Sequence, residues 1–146
     1  MNYNLDDLRK RYRIILIVVN FIRMNRSKVG YIADIEEETL SNDNFRKVVY
    51  TTPLMQLVTM MLKPKEEIGM EVHETSDQFF RIESGTAQVI LNGEENILKS
   101  NDVLIVPAGT NHNIINNSDS EILSLYTIYT PPTHPAGTVE KEKPSE

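Results

Sequence analysis

The sequence has no cysteine. Disulfides and thiolate metal sites are therefore excluded, and any bound metal must take nitrogen and oxygen ligands. Basic charge is also in short supply: 15 Lys and Arg stand against 21 Asp and Glu, for a net charge of −6. The basic residues are dispersed. That balance argues against a nucleic-acid partner, since phosphate binding relies on clustered cations that release counterions. No run is long and apolar enough to span a bilayer. The N-terminal stretch Ile14–Ile22 has nine residues with Asn20 inside it, where a spanning helix needs about 20. A secretory signal fits poorly, because Asp6 and Asp7 sit in its lead and no small-residue cleavage site follows. The expectation is a cytoplasmic protein with neither membrane nor nucleic acid as partner.

What remains is ordinary globular material. A chain of 146 residues, 40% apolar and 25% charged, suits one domain with a sizeable core. In the N-terminal segment Leu5, Leu8, Tyr12, Ile15, Val19 and Ile22 recur at helical spacing. Residues 1–28 are read as a short extension, helical or loosely ordered; the alternatives are a true start at Met24 and a targeting role. From Val29 onward the pattern is of short strands. FRKVVYTT, MQLVTMML, QFFRIESG, TAQVILNG, DVLIVPAG, HNIINN and EILSLYTIYT are rich in Val, Ile, Thr, Tyr and Phe, and each is bounded by turn residues. LNGEEN is a hairpin signal, with Asn92-Gly93 supplying the positive φ of a two-residue turn. This pattern predicts an all-β, antiparallel sandwich or barrel. After Tyr129 the chain turns proline-rich and then charged, which predicts an extended tail. MQLVTMML is apolar on both faces, with Met55, Leu57 and Met61 opposite Val58, Met60 and Leu62. One face can fill a core; the other needs a cover, and a homodimer is the expected one.

Chemistry concentrates in two stretches. In EVHETSDQ, Glu71 and His73 are two apart and share a face of a strand, with Gln78 beyond a polar turn. In NDVLIVPAGTNHNIIN, a strand runs into Pro107-Ala108-Gly109, then His112 and Asn116. Taken singly, a strand histidine beside a glutamate is most simply a polar edge residue. The Glu71, His73 and His112 types together make a two-histidine, one-carboxylate set, which suits iron(II) with open coordination positions.

The two stretches together resemble the paired motifs of the cupin superfamily. The first family pattern is G, five residues, H-x-H, three or four residues, E, six residues, G. Here it reads Lys65, five residues, Glu71-Val72-His73, four residues, Gln78, six residues, Gly85. The second is G, five residues, P-x-G, two residues, H, three residues, N. Here it reads Asn101, five residues, Pro107-Ala108-Gly109, two residues, His112, three residues, Asn116. Fifteen residues separate the motifs, and the resemblance covers roughly residues 29–135. It implies a double-stranded β-helix, or jelly-roll barrel, over 29–135, with 136–146 a flexible tail. It also implies a divalent metal (Fe, Mn, Ni, Co or Zn) at Glu71, His73, Gln78 and His112. This chain departs from the family's three histidines and one glutamate: a carboxylate replaces the first histidine and an amide the glutamate. The set keeps one carboxylate, but an amide oxygen is a weaker donor. A barrel that has lost its metal and kept its cavity is the competing reading, as is a Glu71 turned to solvent at the rim.

Weaker candidates surround these. Phe80 and Ile82 share the face of Gln78 and read as core or as walls of the interior; Arg81 should point outward. Glu74 and Asp77 read as solvated turn residues. One of Tyr126 and Tyr129 is expected to line the mouth, and satisfied core tyrosine is the simpler account. His134, between prolines, is a candidate acid/base group if the tail folds back. With Tyr129 it completes the candidate catalytic set. Three functions follow for a small-molecule substrate. An oxidoreductase of the dioxygenase type is slightly preferred over a sugar or sugar-acid isomerase or epimerase, and a non-catalytic binding module is the third. Residues 65–116 show no inward Lys or Arg, which counts against phosphorylated sugars.

Overall fold

Short β-branched and aromatic runs cut by Gly, Pro, Asn and Asp fold here as strands. The computed structural model describes residues 29–145, so the expectations for residues 1–28 lie outside the described residues. The chain divides after Ile35, and the unit Glu36–Glu146 holds every strand among the described residues. A short helix, α1 (Ile35–Leu40), leads in; its first turn carries Glu36, Glu37 and Glu38, which suit the positive end of a helix. Then follow β1 (Arg46–Thr51), β2 (Gln56–Leu62), β3 (Asp77–Ser84), β4 (Thr86–Leu91), β5 (Glu94–Lys99), β6 (Val103–Val106), β7 (His112–Ile115), β8 (Leu123–Thr130) and β9 (Val139–Glu140). No helix among the described residues is long and apolar enough to cross a membrane.

The strands form two antiparallel sheets, ordered β6-β3-β8-β2-β1-β9 and β5-β4-β7. This is the expected all-β double-stranded β-helix, although the two sheets are not joined into one closed ladder. The hairpin at Asn92-Gly93 joins β4 to β5, with φ of 47° and 87° at its two residues. The core lies between the sheets. Val58, Met60, Leu62, Phe80, Ile82 and Leu125 come from the larger sheet, and Ala87, Val89 and Ile114 from the smaller.

Period-two alternation sorts each strand of the larger sheet into an inner and an outer face. Across four strands one inner rung runs Gln56, Tyr129, Gln78, Val106, all of them buried. The next runs Val58, Thr127, Phe80, Leu104. The interior is thus apolar with one polar end, and the polar end holds the candidate site. The outer face carries its own row, Ile105, Phe79, Ile128, Leu57 and Tyr50, in register across five strands.

The segment after Thr130 runs back across the scaffold. Val139 and Glu140 pair with Lys47 and Arg46, so β9 is an edge strand beside β1.

Candidate functional site

Glu71 reaches the interior because the chain before β3 is tied to β7. Asn113 accepts from the Gly69 N–H at 3.0 Å and donates to Glu67 at 2.7 Å. Ile68 N–H bonds to Ile114 O at 2.9 Å. Glu71 and His112 then exchange backbone hydrogen bonds of 2.9 Å each way. On the other side, Gly109 N–H bonds to His73 O at 2.9 Å, and Asp77, read from sequence as a solvated turn residue, accepts the Ala108 N–H at 2.9 Å. The two motifs are therefore laced to each other by main chain.

The motif positions that hold glycine in the family need a left-handed backbone. Lys65, Gly85, Asn101 and Gly109 have φ of 64°, 90°, 74° and 78°. Lys65 and Asn101 keep that conformation without being glycine. Gly85 has no substitute, because a Cβ there would sit 2.6 Å from Ile122 O.

Glu71, His73 and His112 each offer a ligand atom, and these atoms all lie within 4.8 Å of one another. Glu71 Oε2 and His73 Nε2 are 3.3 Å apart, and both are buried without a hydrogen-bond partner. His112 Nδ1 lies 2.9 Å from Thr110 O, which can only accept, so the ring proton belongs on Nδ1. That leaves the lone pair of Nε2 facing Gln78 Oε1 at 3.0 Å. Neighbouring ligand atoms around a six-coordinate ion with bonds of about 2.1 Å are spaced by about 3 Å. Gln78 itself is held by a bond from Nε2 to Thr127 Oγ1 at 3.0 Å. Turned over, the amide could satisfy His112 without an ion. The carboxylate oxygen of Glu71 and the ring nitrogen of His73 form no well-aligned hydrogen bond, either with each other at 3.3 Å or with another group, and buried unpaired polar atoms call for a partner. The residues fit a divalent cation.

Electrostatics agree with this. Burial pushes the Glu71 carboxyl up, but the adjacent His73 outweighs it, helped by Arg46 and His112, and the group stays below the usual range. Glu71 is thus kept as the anion that a cation needs. Its side chain is 25% exposed, yet it turns toward His73 rather than to the rim.

The second candidate set lies alongside. The chain folds back after a cis Thr130–Pro131 peptide, and buried Gln56 grips the main chain of His134 at both ends. Gln56 Nε2 donates to His134 O at 2.8 Å, and Oε1 accepts the His134 N–H at 3.0 Å. His134 Nε2 is consequently 3.3 Å from Tyr129 Oη. The Tyr129 ring meets His73 edge-on at 5.4 Å. Burial raises the Tyr129 phenol, with the Glu71 charge adding to it, so the hydroxyl stays protonated. Burial lowers the pKa of His134, and the Arg46 charge adds to that, so the ring is neutral at pH 7.

Sequence reasoning missed two residues, Arg46 and Gln56. Arg46 lies opposite Met60, on the inner face, and is 8% exposed. Its Nη2 is 4.0 Å from Glu71 Oε1. The alternation Arg46-Lys47-Val48 was a usable signal, since whichever face takes Val48 takes Arg46. Arg46 lies outside residues 65–116, the stretch that shows no inward Lys or Arg in sequence. The remaining candidates lie where expected: Phe80 and Ile82 are core. Arg81 points outward to Glu83 at 2.7 Å and Asn101 at 2.9 Å. Tyr126 is on the outer face beside Phe79.

Comparison with known proteins gives the family. Residues 58–129 match the family model described as "Cupin domain". An uncharacterised protein, L612, of Acanthamoeba polyphaga mimivirus is 44% identical over 124 residues, covering 82% of this chain and 76% of that protein. The uncharacterised YrkC of Bacillus subtilis is 39% identical over 120 residues, 77% of this chain and 63% of its own length. The crystal structure of BH2720 from Bacillus halodurans superposes with a TM-score of 0.77 at 33% identity, covering 82% of this chain and 95% of that one. With both motifs folded as their spacing requires, and relatives of this coverage, the chain belongs to the cupin superfamily.

Proposed function

We propose that this cupin is a metal-dependent enzyme acting on a small molecule, with Glu71, His73 and His112 as ligands and the Gln78 amide oxygen as a fourth. The observation that supports it is the pair of unpartnered buried atoms, Glu71 Oε2 and His73 Nε2, within 4.8 Å of the third ligand atom. A divalent ion held there would act as a Lewis acid on a substrate oxygen and, if redox-active, would offer open positions for dioxygen. The chain's own contribution is orientation and exclusion of water. Thr110 O fixes the His112 tautomer, Thr127 fixes Gln78, and Phe80 beside His112 and Val106 beside Gln78 supply apolar surface.

The first reading is an oxidoreductase of the dioxygenase kind, on a small enol, diol or catechol-like substrate. The Tyr129–His134 pair favours a second, an isomerase or epimerase of a sugar or sugar acid. Neutral His134 is a proton acceptor and protonated Tyr129 a donor, and the two are 3.3 Å apart. The test begins with metal analysis of untagged protein, repeated on Glu71→Ala and His112→Ala. About one equivalent of metal in the parent, lost in both variants, is the expected result; none in the parent refutes the proposal and leaves a non-catalytic binding module. Oxygen consumption with iron or manganese supports the first reading. Exchange of a substrate carbon-bound proton with deuterated solvent, with no oxygen consumed, supports the second.

We further propose that a second copy covers the outer face of the larger sheet. The row Ile105, Phe79, Ile128 and Leu57 is continuous across four strands, with Ile105 66% exposed and the other three half-buried. A continuous apolar stripe of this kind marks an interaction face. Sedimentation of the wild type should give a dimer, and Phe79→Glu with Ile128→Glu a monomer; a monomeric wild type ends the idea.

A further inference from the structure

Four buried side-chain polar atoms among the described residues lack a hydrogen-bond partner: Arg46 Nε, Thr59 Oγ1, Glu71 Oε2 and His73 Nε2. Thr59 lies on the outer face; the other three belong to the site. A cation accounts for a carboxylate oxygen and a ring nitrogen. It cannot account for Arg46 Nε, which is a donor and needs an acceptor.

The rest of the guanidinium sharpens the point. Nη1 is engaged with Glu140 Oε2 at 2.6 Å. Nη2 is 4.0 Å from Glu71 Oε1, beyond hydrogen-bond range. The Nε and Nη2 hydrogens lie along one edge of the planar group and form a two-pronged donor that matches the two oxygens of a carboxylate. So the edge left without hydrogen bonds is the edge that recognises carboxylates. Burying a charged group with donors unmet is costly, and the arginine is 8% exposed. The charge balance points the same way. Glu71 and Glu140 offset Arg46 and half of a divalent ion, which leaves one positive charge for a singly charged anion. A phosphate can take the same fork bidentately, but at pH 7 it carries more than one negative charge, which exceeds the single positive charge left.

We propose that Arg46 is the anion-recognition residue of this site, and that the substrate is a small organic acid. Its carboxylate docks on the Nε/Nη2 edge while a neighbouring hydroxyl or carbonyl oxygen lies beside Glu71, His73 and His112. This rests on the metal-site reading, and it selects among substrates: neutral diols and catechols lack the group that Arg46 is built to hold.

The test is calorimetric titration of the metal-loaded protein with lactate, 1,2-propanediol and inorganic phosphate. Metal content is measured in parallel for wild type, Arg46→Gln and Glu140→Gln. Lactate should bind wild type more tightly than either other probe. Arg46→Gln should retain its metal and lose about tenfold or more in lactate affinity, with the weak diol binding unchanged. Glu140→Gln keeps an acceptor for Nη1 but removes a competing negative charge, so it should bind lactate several-fold more tightly. That variant decides the matter if Arg46→Gln fails to fold. Lactate binding equal in Arg46→Gln and wild type overturns the proposal, as does tighter binding of phosphate or diol, or a Glu140→Gln affinity at or below that of wild type. If the wild type binds no metal, the metal-site reading has failed by itself. Arg46-dependent lactate binding by that metal-free protein would still uphold the role of Arg46, and its absence would end it.

Discussion

Glu71 and His112 face each other across one rung of main-chain hydrogen bonds, 2.9 Å in each direction. Residues paired in this way send their side chains to the same side of the ladder. The pairing therefore brings a carboxylate and an imidazole from segments some forty residues apart to one point, with no side-chain bond between them needed to hold it.

Metal should accordingly be lost on removal of either side chain while the fold survives. Adding a divalent ion at about 100 times its Kd should stabilise the wild type by about 2.7 kcal/mol. Thermal melts of Glu71→Ala and His112→Ala should not move with metal. A metal-dependent shift in both variants would place the ion elsewhere.

Gln78→Glu should act with opposite signs in the two states. Gln78 is 1% exposed and 3.0 Å from His112, and a carboxylate there would add a second acid to the site that holds Glu71. Without metal, melts should show a loss of about 2 kcal/mol from burying a second like charge. With metal, a carboxylate in place of an amide oxygen should bind about tenfold or more tightly. Tightened binding with no loss in the metal-free protein would contradict the burial argument.

His134 provides a pH test. Its folded pKa is lowered by burial and by Arg46, below the ordinary 6.5. Above 6.5 the ring is neutral in both states and contributes nothing to pH dependence. Below 6.5 the unfolded chain takes up the proton first, so stability falls with pH until the folded pKa is reached. Denaturant midpoints should decline over that window, and His134→Gln should flatten the decline. An unchanged slope would mean that the ring is not buried beside Tyr129.

Gln56→Ala should release that ring. Two hydrogen bonds to the His134 main chain are lost, at about 1 kcal/mol each. Ring NMR should then report a His134 pKa returning upward toward 6.5. A depressed value that persists would show that the fold-back does not depend on Gln56.

The left-handed turn positions predict opposite outcomes for two simple substitutions. Gly85→Ala puts a Cβ 2.6 Å from Ile122 O at φ 90° and should cost more than about 2 kcal/mol. Lys65→Gly relieves a strained backbone at φ 64°. Part of that gain returns to the unfolded chain as entropy, leaving a stabilisation under about 1 kcal/mol. Chemical denaturation distinguishes the two signs.

Much of this was legible because it is local. The strands from β1 to β8, the Asn92-Gly93 turn and the spacing of both motifs follow from side-chain alternation and turn chemistry, which need no knowledge of distant partners. The helix α1 is not legible in the sequence, since six residues carry too little periodicity to stand out. Arg46 is not legible for another reason. Its importance depends on β1 lying beside β2 and on β9 returning to place Glu140 opposite it.

By itself, then, the sequence determined an all-β chain whose two histidines and two acidic or amide partners stand at family spacing, because periodicity and spacing are properties of a linear string. Only the tertiary structure decided that Tyr129 faces in and Tyr126 out, that His134 is carried back to a phenol, and that a buried arginine keeps one edge unpaired. Those facts depend on which strand lies next to which, and strand order is set by packing the whole chain around one core.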